Sequence, residues 1–249
     1  MRIATLNLRL TLDRWPERLP LVVDALAATD AEVIGLQEVA LPIRQDHLVA
    51  DALNARDPDR PYAVHTAPKW GDANPEAVSL LSRVPVAEHE VCELPEGGRV
   101  AQRIEVHLDG RPLHVVNTHL HDWPHDDESV REPQLRRILG WLANLDVLGS
   151  CVLLGDLNAR PGTTTLGAAL EVLTNALPDG VMTFPTPLAA EQFPPSQIDH
   201  ILCSPGLRVV SAGLVADCAD PDDPTLYASD HLGILAEIRW ADPAVAPTA

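Results

Sequence analysis

Gly155-Asp156-Leu157-Asn158-Ala159-Arg160-Pro161, directly after the apolar run Cys151-Val152-Leu153-Leu154, decides how the rest of the chain is read. An apolar run this short is a buried strand, and Asp156 and Asn158 then stand two residues apart at its carboxyl end. Such ends are where α/β proteins place their sites. The arrangement recurs. Thr5-Leu6-Asn7 follows residues 1–4, Gln37-Glu38 follows residues 33–36, and Asn117-Thr118-His119 follows residues 113–116. Ile198-Asp199-His200 and Ser229-Asp230-His231 come late in the chain. Six polar clusters at strand ends predict one shared site.

Working outward, residues 16–28 carry Leu19, Val22, Val23, Leu26 and Ala27 at helical spacing with proline near the start. A second helix is expected over residues 42–55, with Ile43, Leu48, Ala52 and Leu53 on one face, followed by a short strand over residues 62–66. Residues 78–82, 86–93, 99–108 and 113–118 read as strands, separated by the turn formers Arg83-Val84-Pro85, Glu96-Gly97-Gly98 and Asp109-Gly110. Residues 103–108 alternate apolar and polar, which predicts a sheet with one face on the core. Residues 128–148 form the clearest helix, with Leu135, Ile138, Leu139, Leu142 and Leu145 in one stripe and Arg131, Arg136 and Arg137 elsewhere. A helix over residues 164–173, a proline-rich loop over 177–196, and strands over 197–202, 207–214 and 233–239 complete the pattern. Helices in several connections plus many short strands predict an α/β (α+β) protein with helices packed outside two stacked sheets. Residues 1–241 are expected to form a single domain, and residues 242–249, small and rich in proline, a disordered tail.

The chain has 249 residues, 46% of them hydrophobic, enough to bury a full core. Its 18 Lys+Arg against 36 Asp+Glu give a net charge of −18. That balance opposes long polyanions, so stable binding of duplex DNA is not expected. No apolar run approaches the roughly 18 to 20 residues that cross a membrane, and the first residues lack the order of a secretory signal. Cys92, Cys151, Cys203 and Cys218 have no C-x-x-C spacing, and two sit in strand-like runs, so reduced packing thiols and a cytoplasmic location are expected.

Cleaving a phosphate ester needs a cation on the phosphate oxygens, a base or orienting carboxylate for water, and donors for developing charge. Magnesium takes only one or two protein carboxylates and keeps several waters, so Glu38, Asp230 and the amide oxygen of Asn7 make a sufficient set. Manganese is the alternative ion. Asp156 is the candidate to orient or deprotonate water and Asn158 to donate to phosphate; both residues equally suit a tight turn. Asp199 and His231 pair as carboxylate and imidazole, the histidine either activating water or protonating the leaving oxygen. His119 can contact a phosphate oxygen or act as a second acid. The loop His121-Asp122-Trp123-Pro124-His125-Asp126-Asp127 reads either as a plain solvated loop or as a substrate-selecting rim or lid, with metal binding by His121 and His125 as a weaker option. Arg131 either faces an anion or pairs with Glu128 and Glu132.

Taken in order, these motifs resemble the endonuclease/exonuclease/phosphatase (DNase I-like) superfamily from Thr5-Leu6-Asn7 to Ser229-Asp230-His231, nearly the whole chain. The resemblance implies a four-layer αββα sandwich of two packed mixed sheets, with the site at one end. It implies Glu38 as main magnesium ligand assisted by Asn7 and Asp230, a GDxN motif in Asp156 and Asn158, the acid–histidine pair Asp199 and His231, and His119 in an NTHL motif. Leu81-Ser82-Arg83-Val84-Pro85 resembles an LSRxP segment and Arg131 with Gln134 an RxxQ pair, which places Asn117 and Arg131 on the substrate side. Ala77 stands where many relatives have glycine. Basic groove-inserting elements of DNA-acting members are absent. The expected activity is hydrolysis of a small or medium-sized phosphodiester or phosphomonoester, with a nuclease on short or single-stranded nucleic acid, or a fold repurposed without hydrolysis, as alternatives.

Overall fold

The computed structural model describes residues 1–71, 75–122, 127–189 and 193–241. The expected tail at 242–249 and His125 lie outside the described residues. Strands β1 (Arg2–Asn7), β2 (Val33–Ala40), β3 (Ala63–Pro68), β4 (Glu76–Ser82), β11 (Leu207–Val215) and β12 (Gly233–Trp240) form one sheet in the order β11-β12-β1-β2-β4-β3. Strands β5 (Glu88–Glu93), β6 (Val100–Leu108), β7 (Arg111–His119), β8 (Cys151–Asp156), β9 (Thr174–Asn175) and β10 (Asp199–Cys203) form the other, in the order β5-β6-β7-β8-β10-β9. Each sheet contains one parallel pair, β1 with β2 and β7 with β8, and is otherwise antiparallel.

Side-chain alternation assigns the layers. Ile3, Val33, Val115, Val152, Leu154, Ile201 and Ile234 meet between the sheets, while the next residues along the strands turn the other way. Ala4, Leu6 and Ile34 pack with Val22, Val23 and Leu26 of α1 (Trp15–Thr29) and Val49 and Leu53 of α2 (Gln45–Arg56). Val116 and Leu153 pack with Leu135, Ile138 and Leu142 of α3 (Glu128–Asn144) and Leu166 and Ala169 of α4 (Thr164–Leu170). The result is a four-layer αββα sandwich of two mixed six-stranded sheets. Among the described residues, no helix is long and apolar enough to cross a membrane.

Several boundaries differ from the sequence expectation. The expected helix over 42–55 is a short 3-10 turn, Leu41–Ile43, followed by α2, because Arg44 takes a left-handed φ of 51° between them. Ile43 and Leu48 are consequently exposed, and Val49, Ala50 and Leu53 bury the face instead. The helices beginning at Glu128 and Thr164 stop at Asn144 and Leu170, shorter than their apolar spacing suggested. The two-residue strand β9 carries too little pattern to be read.

The topology explains why six distant clusters share one end. Strands β1, β2, β7 and β8 finish at the same edge of the sandwich. Strands β10 and β12 run antiparallel to β8 and β1, so they start there; Asp199 pairs with Asp156, and Ile234 with Thr5.

Candidate active site

Each side chain is aimed by local backbone. A bulge in β2 between Leu36 and Val39 breaks the ladder with β4, and Glu38 takes a left-handed φ of 49°. The extra residue turns its carboxylate toward the sheet end. Asn117 of β7 reaches across the sandwich into the interrupted ladder. Its amide donates to the carbonyls of Leu36 at 3.0 Å and Ser79 at 2.8 Å and accepts from Gln37 at 2.7 Å. Buried carbonyls need such partners. Gly155 at φ 127° lets β8 approach β7; a Cβ there would lie 2.0 Å from the Thr118 carbonyl.

Asp156 is the hub. Its Oδ1 accepts from the Asn158 backbone N–H at 2.9 Å, which forms the turn that carries Asn158. Its Oδ2 accepts from Asn7 Nδ2 at 3.1 Å and lies 3.5 Å from His119 Nε2 and 3.8 Å from His231 Nε2. The same Asn7 nitrogen lies 3.2 Å from Glu38 Oε1, so Glu38 is one amide away from Asp156. Asp199 Oδ2 holds His231 Nδ1 at 2.9 Å. Asp230 pairs with Arg9, whose backbone N–H also donates to Asn7 Oδ1 at 2.9 Å. These residues therefore converge, and Glu38, His119, Asp156, Asn158, Asp230 and His231 border a cleft of about 460 Å³, with Asn7 and Asp199 buried behind them.

Asn117 and Arg131, expected to touch substrate, are instead fully buried and turned to protein partners. Asn117 ties the two sheets, as above. Arg131 donates to Glu128 at 2.8 Å, and Glu128 accepts from the Thr165 backbone N–H at 3.0 Å, so Glu128, held by the arginine, joins α3 to α4. Its partner in the RxxQ pair, Gln134, accepts from His121 N and donates to Pro95 O, which secures the loop after β7.

Residues that sequence reading missed are electrostatic neighbours of the hub. Glu76, at the start of β4, accepts from His119 Nδ1 at 3.2 Å and pairs with the buried Lys69. Arg99 lies 3.7 Å from Glu76 and holds Asp122 at 2.7 Å. The only sequence signal was a carboxylate at the open end of a strand, directly before Ala77. Arg9 and Phe184, also missed, border the cleft.

Burial and neighbouring charge separate the titrations. Burial, then Asp199 nearby, pushes Asp156 up to about 7. Burial works against charging His231, but Asp199, Asp156 and Asp230 override it and raise the imidazole to about 10. Burial, with Arg99 and Lys69, lowers His119 to about 3. Burial opposes the Glu76 charge, yet His119, Lys69 and Arg99 hold it at about 2.

Burial, then Glu76 and Asp230, raises Glu38. A carboxylate raised by burial and by acidic neighbours suits a divalent cation, which would offset both effects. Asp156, Asp199 and His231 also offer ligand atoms within 4.8 Å of one another. A hard cation prefers oxygen donors and takes only one or two protein carboxylates, so the donor chemistry of Glu38, Asp230 and Asn7 Oδ1 suits magnesium better than a set that includes an imidazole nitrogen.

A family model described as Endonuclease/Exonuclease/phosphatase family matches residues 4–231. No curated protein matches the sequence. Among solved structures, a mannosyl-6-phosphatase of Bacteroides thetaiotaomicron VPI-5482 is 20% identical, with 96% of this chain and 100% of that chain covered at a TM-score of 0.77. The human Nocturnin catalytic domain with bound sulfate anion is 20% identical over 97% and 93%, at 0.75. An endonuclease/exonuclease/phosphatase family protein of Bacteroides thetaiotaomicron is 20% identical over 96% and 97%, at 0.76. At this identity the likeness is one of fold.

Proposed function

The chain belongs to the Endonuclease/Exonuclease/phosphatase family, and from that membership we propose a divalent-metal-dependent phosphoesterase that hydrolyses a small or medium-sized phosphate ester. The observation that carries this reading is Asp156 Oδ2, which meets Asn7 at 3.1 Å, His119 at 3.5 Å and His231 at 3.8 Å beside Glu38. Structural neighbours that include a mannosyl-6-phosphatase and a sulfate-bound domain support an anionic ester in such a cleft.

Glu38, Asp230 and Asn7 would hold the ion, magnesium first and manganese as the alternative. When bound, it supplies neutralisation of phosphate charge and acidifies water. Asp156, with its affinity for a proton raised toward neutrality, orients the attacking water and takes its proton. A new P–O bond forms to water as the bond to the alcohol breaks in line. His231, held by Asp199 with Nε2 toward the cleft, is charged and donates to the phosphate, then gives its proton to the leaving oxygen. Glu76 fixes the orientation of His119, which faces the same phosphate position. Asn158 contributes a neutral donor from the turn after β8.

The test is phosphate release from nitrophenyl phosphate, bis-nitrophenyl phosphate, inositol phosphates, sphingomyelin and single-stranded oligonucleotides, with magnesium or manganese. Glu38→Ala and His231→Ala should each lower turnover by about a thousandfold with the fold intact. Unchanged turnover in both removes the assignment. Activity confined to oligonucleotides and strongly suppressed by salt would move the reading to the nuclease.

A further inference from the structure

One side of the cleft is not explained by phosphate chemistry. Leu12, Phe184, Phe193, Pro194 and Ile198 line the same cleft as the carboxylates and histidines. Phe184 lies over His231 with ring centroids 4.6 Å apart and planes tilted by 39°. Phe193 continues the surface from Phe184, with ring centroids 5.2 Å apart and planes at 50°. Leu12, on the loop after β1, is 52% exposed there.

This wall is built rather than incidental. Phe184 and Ser196 exchange backbone hydrogen bonds at 3.0 and 2.6 Å, which closes the base of the loop. Thr183 Oγ1 accepts from the N–H groups of Ile198 and Asp199, both at 3.1 Å. Leu232 N donates to Thr183 O at 2.7 Å, and Thr186 N and Oγ1 donate to the carbonyls of Asp230 and Ser229, both at 2.7 Å. The bonds that place Asp199, Asp230 and His231 therefore also place the phenyl rings. A pre-formed apolar surface with a few polar groups at one end is the usual form of a small-molecule pocket.

Two further facts limit the occupant. A volume of about 460 Å³ lies in the range of roughly 300 to 1,000 Å³ typical of small-ligand pockets, whereas specific protein–DNA interfaces spread over roughly 1,000 Å² or more. Of the two arginines that line the cleft, Arg9 and Arg160, Arg9 is paired with Asp230 and Asp13, and the net charge of −18 does not favour a substrate carrying several phosphates.

We infer that the Phe184–Phe193 wall receives a flat, uncharged ring carried by the esterified alcohol, so that the preferred substrate is a compact single-phosphate ester of an aryl alcohol or a nucleoside. This rests on the phosphoesterase reading and names the substrate class for it. The ring packs on the two phenyl groups while its phosphate reaches Asn158, His119 and His231.

The non-hydrolysable pair phenylphosphonate and methylphosphonate isolates the ring. Calorimetric titration with magnesium present should give phenylphosphonate at least tenfold tighter binding, about 1.4 kcal/mol. Phe193→Ala should bring that ratio toward one, with Phe193→Leu between the two and circular dichroism confirming the fold. In turnover, Phe193→Ala should lower kcat/KM for phenyl phosphate and for adenosine and uridine monophosphates about tenfold more than for glycerol phosphate, chiefly through KM. Intrinsic reactivity of each ester cancels in that comparison. Loss confined to phenyl phosphate assigns the wall to aryl esters, and loss confined to the nucleotides assigns it to nucleosides. Equal binding of the two phosphonates, or one common factor for every ester, overturns the inference. A protein that prefers phenylphosphonate but hydrolyses nothing retains the wall and refutes the phosphoesterase reading alone.

Discussion

Replacing Arg18 with methionine tests whether one buried cation organises two walls of the site. Arg18 is on α1, fully buried, and donates five hydrogen bonds to main-chain carbonyls: Asp13, Leu8, Ala228, Leu10 and Leu12. The acceptors belong to the loop that carries Arg9 and Leu12 and to the residue before Ser229-Asp230-His231. Bonds to Leu8 at 3.0 Å and Ala228 at 2.9 Å are buried, and the other three reach a wetter loop where water can substitute. Two carbonyls stranded at about 1 to 3 kcal/mol each, partly offset by no longer burying a guanidinium, give a net loss of roughly 3 to 4 kcal/mol. At about 2 to 4 °C per kcal/mol for a chain of this size, Tm should fall by roughly 6 to 16 °C. Lysine has three donors for five acceptors and should fall between. Urea unfolding followed by circular dichroism measures the loss, and kcat/KM on nitrophenyl phosphate should drop with it. An Arg18→Met protein within about 1 kcal/mol of the parent would refute this account of the loop.

Gly155→Ala places a Cβ 2.0 Å from the Thr118 carbonyl at a φ of 127°; strain plus overpacking should cost roughly 3 kcal/mol or more, read as a lowered urea midpoint. The stability supplied by Glu76 should depend on pH with a definite sign. Its folded value, about 2, lies below the ordinary 4.5, so that stability is fully present above 4.5 and is lost as pH falls through 2. The gap in unfolding free energy between the parent and Glu76→Gln should therefore stay level down to about pH 4.5 and narrow from there to pH 2, and a gap that widens on acidification contradicts the cation pairing described for Glu76.

The sequence by itself determined the layers and the end of the sandwich that carries the chemistry, because both follow from local periodicity. Ile3 and Thr5 face one way and Ala4 and Leu6 the other by the strand repeat alone. A polar residue that closes an apolar run, as Asn7, Glu38, His119 and Asp156 do, or comes just before one, as Asp199 and His231 do, marks a strand end wherever that strand is placed, which is why these residues could be named before any tertiary contact was known. Only the tertiary structure decided the partners. Asn117 turns inward because a bulge 80 residues away, at Gln37, leaves carbonyls that need a donor. Glu76 finds His119, and Phe184 finds His231, across 43 and 47 positions of chain. Such pairings depend on which strand or loop lies opposite, a long-range outcome of packing the two sheets, and no spacing along the chain encodes it.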